Sequence, residues 1–262
     1  MLLACLACGA THEPALVYRC PSCGGILEVH RPLAPSGRWR RQDFVADAVT
    51  LGEGDTPLRE VSPGLVSPAF AGRLFVKDET RNPSGSFKDR LVAAAMSRAL
   101  ALGAGGIVCA SSGNAGAAAA CYAARTGVPA IICCPEATPH GKLAQIRAYG
   151  ATLERVAGHY GHSFRRAQDI AAERGYANLT TTFLNPFGVD ALRLVGQEIA
   201  EALDGTPDWV AIPTSSGPLV KGVHQGFLDR GRALPRLVAA QAEGVDAKQI
   251  ARRLVEETLT DA

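Results

Sequence analysis

Two groups of residues in this sequence carry chemistry by type and spacing. The first is Cys5-Leu6-Ala7-Cys8 with Cys20-Pro21-Ser22-Cys23, two CxxC pairs followed by Gly9 and by Gly24-Gly25. Two residues between thiolates let one tight turn aim both sulfurs at a single ion. Two such turns, eleven residues apart, complete a tetrahedral all-sulfur site. Zinc needs no redox partner and is the favoured ion, while iron also suits the ligands. Two separate reduced pairs, or a redox pair, are the alternatives. With all four positions used as ligands, the predicted metal is structural.

The second group is three short segments rich in small polar residues. Arg81-Asn82-Pro83-Ser84-Gly85-Ser86-Phe87-Lys88-Asp89-Arg90 leads into a helical pattern and puts Lys88 at the helix entrance, beside Phe87 and Arg90. A helix N-terminus and a neighbouring cation both lower an amine's pKa and favour its neutral, nucleophilic form. Taken alone, an ordinary solvated lysine fits the position as well. Ala110-Ser111-Ser112-Gly113-Asn114-Ala115-Gly116 follows a strand pattern and opens an Ala-rich helix, where backbone N–H groups can receive a carboxylate or phosphate. Simple helix capping is the plainer reading. Ile212-Pro213-Thr214-Ser215-Ser216-Gly217-Pro218 has the same strand-to-helix placement and reads as a phosphate cradle.

These segments need a rigid frame. Leu74–Lys77, Ile107–Cys109, Ala130–Cys134 and Trp209–Ile212 read as strands. Lys88–Leu102, Ala115–Arg125, Lys142–Tyr149, His162–Arg174 and Ala191–Leu203 read as helices. Strands alternating with helices predict an α/β fold with a parallel sheet. The residues 31–48 read as an irregular linker, and Lys248–Thr258 as a charged helix. Cys109, Cys121, Cys133 and Cys134 lie in apolar segments without metal spacing and read as small core residues. His159 and His162 suit capping or surface roles near a helix start, and His224 a solvated helix face.

Length and composition bound the rest. The chain has 262 residues, one or two domains' worth. With 47% hydrophobic and 20% charged residues it can bury a core, which excludes a disordered chain. A net charge of +2 gives no case for nucleic-acid or acidic-membrane partners. The first eight residues lack a basic region and cleavage site, and Ser111–Asn114 interrupts the smoothest later apolar stretch. Neither a signal peptide nor a membrane span is expected, and a cytoplasmic, thiol-reducing setting follows.

In this order the segments resemble the threonine synthases, among the pyridoxal-phosphate enzymes of the tryptophan-synthase β-subunit fold type. The likeness takes in the four-cysteine ribbon, Leu51-Gly52-Glu53-Gly54-Asp55-Thr56-Pro57-Leu58, Asn82–Arg90 and Ser111–Gly116. It continues through Gly141–Gln145, Tyr149-Gly150-Ala151, Asn185-Pro186-Phe187 and Gly196–Ala200. The resemblance implies a two-lobed fold type II enzyme with an N-terminal zinc ribbon. Its expected parts are a ribbon over 1–30, a large cofactor-binding domain over 31–90 and 185–262, and a small α/β domain over 91–184.

The resemblance also implies the roles. Lys88 would carry pyridoxal 5'-phosphate, with Phe87 packed near the ring and Asn114 bonded to its 3-hydroxyl. Ser111, Ser112 and Gly113 would hold the carboxylate of a small amino-acid substrate. Thr214, Ser215, Ser216 and Gly217 would grip the cofactor phosphate, and Ser84 and Ser86 would meet a substrate phosphate or carboxylate. The implied reaction converts O-phosphohomoserine and water to threonine and phosphate. A serine or threonine dehydratase, and a truncated non-catalytic relative, are the other readings. A homodimer is implied by likeness alone. The sequence departs from the family at Ser215 and Pro218, where glycine is usual, proline lacking a donor. The family also continues beyond Gly244 with further large-domain structure, including the residue facing the pyridine nitrogen, so an incomplete large domain is expected.

Overall fold

The computed structural model describes residues 1–30, 48–62, 64, 70, 72–180 and 184–241. The linker expected over 31–48 falls, except for Ala48, outside the described residues, as does the helix expected over Lys248–Thr258.

The N-terminal unit is a small antiparallel sheet of β1 (Leu2–Cys5), β2 (Thr11–His12) and β3 (Leu27–His30), in the order β2-β1-β3. Alternation along β1 buries Leu3 and Cys5. They join Cys20, Leu27 and Val29 in a core too small to stand by itself, and Phe187 from the body of the protein completes it. An antiparallel pair follows, β4 (Leu58–Val61) with β5 (Leu74–Lys77).

The centre is a four-stranded parallel sheet of β6 (Ile107–Ala110), β7 (Ala130–Pro135), β8 (Thr152–Val156) and β9 (Ala177–Asn178), in the order β8-β7-β6-β9. Parallel strands buried on both faces read as unbroken apolar runs, and the run Ala130–Cys134 is of this kind. Its residues alternate between two cores. Ile107, Cys109, Ile132 and Cys134 face α1 (Lys88–Ala101), α2 (Asn114–Thr126) and α3 (His140–Ala148). Val108, Ala110, Ile131 and Cys133 face α4 (Tyr160–Arg174). The four cysteines expected in the core are buried free thiols. His159 caps α4 by accepting from Gly161 N–H at 3.0 Å.

The remaining unit comprises α5 (Pro186–Ala191), α6 (Arg193–Ala202), β10 (Trp209–Pro213), α7 (Pro218–Asp229) and β11 (Arg236–Ala240), with β10 and β11 parallel. The helix expected over Ala191–Leu203 is α6, which starts two residues later at Arg193 and is preceded by the short α5. Tightened i→i+3 hydrogen bonds, Leu192 N–H to Val189 O and Val195 N–H to Leu192 O, both 3.1 Å, separate the two helices at Leu192. Asn185 caps α5 by accepting from Gly188 N–H, with Pro186 at its first position. Helices α6 and α7 cross where glycines meet: a Cβ on Gly226 would lie 2.2 Å from Arg193 O. No helix among the described residues is long and apolar enough to cross a membrane.

Candidate active site and metal centre

Lys88 is the first residue of α1, its amine 4.7 Å from the centroid of the Phe87 ring. Burial lowers its pKa to about 8, against an opposing effect from the Cys109 thiol on β6. Cys109 is in turn pushed up to about 12, chiefly by burial. The half-buried lysine therefore has its amine close to the strand that runs into Ser111–Asn114. On its other side Ser86 Oγ accepts from Lys88 N–H at 3.3 Å, and Ser84 O accepts from Gln145 Nε2 at 2.9 Å. Below the loop, Asp89 is fully buried and accepts from Ser84 N–H at 2.9 Å. Burial raises its pKa, opposed by the bonds from Ser84 and reinforced by the charge of Glu53.

The loop is fixed in place by a network that sequence spacing alone did not reveal. Arg90, 3% exposed, donates to Glu198 at 2.6 and 2.8 Å and to Glu79 at 2.8 and 2.7 Å. Lys77 Nζ donates to Glu198 at 2.6 Å, and Arg90 also donates to Thr56 Oγ1 at 3.1 Å. Two cations and two carboxylates thus balance in a nearly dry setting, where each charge needs its partner. The Leu51–Leu58 loop docks onto the same groups. Asp55 N–H donates to Glu198 at 3.0 Å, and Gly54 N–H donates to Asn82 Oδ1 at 2.9 Å. Gly54 has φ of 88°, a left-handed backbone that favours glycine there. Glu53 is buried and accepts from the Tyr122 hydroxyl at 2.6 Å. The one sequence signal for this frame is the clustering of Glu53, Thr56, Arg90 and Glu198 inside the quoted motifs.

Ser111, Ser112, Gly113 and Asn114 occupy the turn from β6 into α2. Gly113 is the N-cap residue and the helix has no side-chain cap; Ser111 Oγ instead accepts from Gly113 N–H at 3.2 Å. A Cβ on Gly113 would meet no atom within 4 Å, so space is open above the turn. Thr214–Gly217 forms the matching turn from β10 into α7. Here Gly217 is the N-cap with φ of 90°, and again no side-chain cap is present. Within it, Thr214 donates its N–H to Ala240 O and its hydroxyl to Ile212 O, both at 2.8 Å, so its donors serve the strand end. Leu219 in the first turn of α7 and Phe87 beside the lysine pack against one core.

These donors fit pyridoxal phosphate: a half-buried lysine whose amine has a lowered pKa and, at the carboxyl ends of parallel strands, two helix starts with no side-chain cap. Such ends attract anions and are where open α/β sheets bind ligands.

The second centre lies in the ribbon. The sulfurs of Cys5, Cys8, Cys20 and Cys23 all lie within 4.8 Å of one another, with Cys5–Cys23 at 3.5 Å and Cys8–Cys20 at 3.8 Å. Bonds of about 2.3 Å from a tetrahedral zinc would place sulfurs about 3.8 Å apart, so the cluster fits that ion. His12 Nε2 stands 3.3 Å from Cys20 Sγ, a contact the spacing did not foretell.

Comparison with known proteins places the chain in a family and agrees with its fold. The family model described as pyridoxal-phosphate dependent enzyme matches residues 49–260. The chain is 36% identical to a threonine synthase of Bacillus sp. strain ULM1 over 204 residues, 76% of this chain and 57% of that one. It is 31% identical to a threonine synthase of Methanocaldococcus jannaschii over 271 residues, 93% of this chain and 66% of that one. It therefore spans about three-fifths of the length of such relatives. Maize serine racemase shares the fold, with a TM-score of 0.64 at 23% identity, over 76% of this chain and 59% of that one.

Proposed function

Because this chain belongs to the pyridoxal-phosphate-dependent enzymes, we propose that it has threonine synthase activity, converting O-phosphohomoserine and water to threonine and phosphate. The observation that carries the reading is Lys88: a half-buried lysine whose amine has a pKa near 8, over the Phe87 ring and beside the strand that enters Ser111–Asn114.

In this reading Lys88 holds the cofactor, Phe87 packs near its ring and Asn114 bonds its 3-hydroxyl. Ser215, Ser216 and Gly217, with Thr214 shaping the turn, receive the cofactor phosphate. When bound, pyridoxal phosphate supplies an electron sink for charge developing on the carbons next to the substrate amine. The chain's own groups do the remainder. Ser111, Ser112 and Gly113 orient the substrate carboxylate, and Ser84 and Ser86 meet its phosphate. Lys88 Nζ, basic enough near pH 8 to give and take protons, moves them at the α- and β-carbons. The Arg90–Glu79–Glu198 frame keeps the lysine loop from shifting.

The structural zinc held by Cys5, Cys8, Cys20 and Cys23 belongs to the same proposal, as do the cytoplasmic setting and the homodimer. So do the assignments of 1–30 as ribbon, 31–90 with 185–262 as large domain and 91–184 as small domain. The test is release of inorganic phosphate from O-phosphohomoserine by cofactor-loaded protein. Phosphate with an equal amount of threonine supports the reading. A 2-oxo acid formed from serine or threonine, with no phosphate release, replaces it with a dehydratase.

A further inference from the structure

We propose that Tyr18 of the ribbon is a positioning residue for the Ser111–Asn114 turn, acting through Asn178, Thr180 and Ala110. The role of that turn rests on the function proposed above, whereas the linkage itself is visible in the fold.

β9 is the edge strand beside β6. Its neighbouring amides turn inward, Ala177 N–H to Gly106 O at 3.0 Å and Leu179 N–H to Val108 O at 2.8 Å. The amide of Asn178 points the other way, out of the sheet, yet Asn178 is 1% exposed. A buried, unpaired N–H is costly. The Tyr18 hydroxyl oxygen accepts it at 2.6 Å.

From there the bonds run directly to the site. Asn178 Oδ1 accepts from Thr180 N–H, and Thr180 Oγ1 accepts from Ala110 N–H, both at 2.9 Å. Ala110 is the last residue of β6, and the next residue is Ser111. Ser111 N–H is tied on the opposite side to Cys133 O of β7 at 3.1 Å. The root of the turn is therefore held from both sides, by β7 and by Thr180, and the second hold leads back to the ribbon. Tyr18 stands two residues before Cys20, within the segment a bound metal would fix. Asn178 and Thr180 are each 1% exposed, so water does not substitute for a missing partner.

The test uses holoenzyme loaded with zinc and cofactor, as wild type, Tyr18→Phe, Thr180→Val, Thr180→Ser and Tyr18→Phe with Thr180→Val. Amide exchange at Ala110, zinc content, and KM and kcat for O-phosphohomoserine are measured. Tyr18→Phe is expected to keep its zinc while Ala110 exchanges roughly tenfold faster, the scale set by one lost buried partner. KM rises roughly fivefold with kcat within about twofold, the pattern of a displaced binding turn. Thr180→Ser, which keeps the oxygen, behaves as wild type. Thr180→Val reproduces the rise in KM, and adding Tyr18→Phe to it changes KM no further. Unchanged exchange at Ala110 in Tyr18→Phe overturns the linkage, as do effects of the two substitutions on KM that simply multiply. Should Tyr18→Phe fail to fold, wild-type kinetics in Thr180→Val overturn it instead. If wild-type protein does not turn over O-phosphohomoserine, the functional reading fails, and the Ala110 exchange still decides the linkage.

Discussion

The guanidinium of Arg90 and the carboxylate of Glu198, 108 positions apart in sequence, meet through two hydrogen bonds of 2.6 and 2.8 Å. The pair joins the start of α1, two residues beyond Lys88, to the middle of α6. Removing one partner of a buried pair strands the other charge, which costs more than the pair itself contributes. Glu198→Gln is expected to lower the stability of the protein by about 3 kcal/mol, read from urea denaturation. A change no larger than that of an exposed carboxylate would show that Arg90 is held by Glu79 alone.

The same carboxyl sets a pH dependence. Burial raises the pKa of Glu198, but the hydrogen bonds and charge of Arg90, with Lys77, outweigh it and bring it to about 2. A folded-state value below the unfolded one, about 4.3, stabilises the fold above the unfolded value. That contribution is lost as pH falls from about 4.3 towards 2. The urea midpoint of wild type should drop over that interval, and more steeply than that of Glu198→Gln.

Lys88 gives a second, opposite titration. Its amine, with a pKa near 8, is charged below that value and neutral above it, and only the neutral form is nucleophilic. Uptake of pyridoxal phosphate by apoprotein should speed up about tenfold per pH unit below pH 8 and level off above it. Visible absorbance in stopped-flow mixing follows the rate. A plateau reached only near pH 10 would indicate an amine of ordinary basicity.

The ribbon should hold one zinc per chain, released by a strong chelator together with loss of amide protection in β1 and β3. Cys20→Ala should bind none and show the same loss in the presence of zinc. Full protection of the metal-free ribbon would make the cysteines a small thiol cluster.

Gly226→Ala probes the crossing of α6 and α7. The added Cβ would lie 2.2 Å from Arg193 O and 2.6 Å from Gln197 N, both backbone atoms that cannot rotate aside. A loss of about 2 kcal/mol is expected, measured as a fall in Tm. No change in Tm would mean that the helices can part freely.

Much of the fold was legible because its centre is parallel sheet, where strands such as Ala130–Cys134 are written as unbroken apolar runs and helices end in glycine. The misses have physical causes. β9 is two residues long and is defined only by its neighbours. β8 interleaves Thr152, Glu154 and Arg155 with its apolar residues, so no apolar run marks it, whereas β11 does carry an apolar run, Leu237–Ala240, and is exposed along most of its length. The boundary between α5 and α6 at Leu192 carries no breaking residue, and Asn185-Pro186, the cap and first residue of α5, stood out only as part of the quoted likeness. The four cysteines stand out by type and local spacing, whereas the roles proposed for Lys88 and Asn114 come from the resemblance rather than from spacing alone. Their supports do not stand out: Glu198 reaches Arg90, and Tyr18 reaches Asn178, only once the chain has folded.

Lys88 as the cofactor's anchor is tested most directly by reducing cofactor-loaded protein with borohydride and mapping the product by peptide mass spectrometry. The mass of reduced pyridoxal phosphate is expected on the peptide containing Lys88, about one per chain, and none in Lys88→Ala. Label on a different lysine, or no label, would contradict that role.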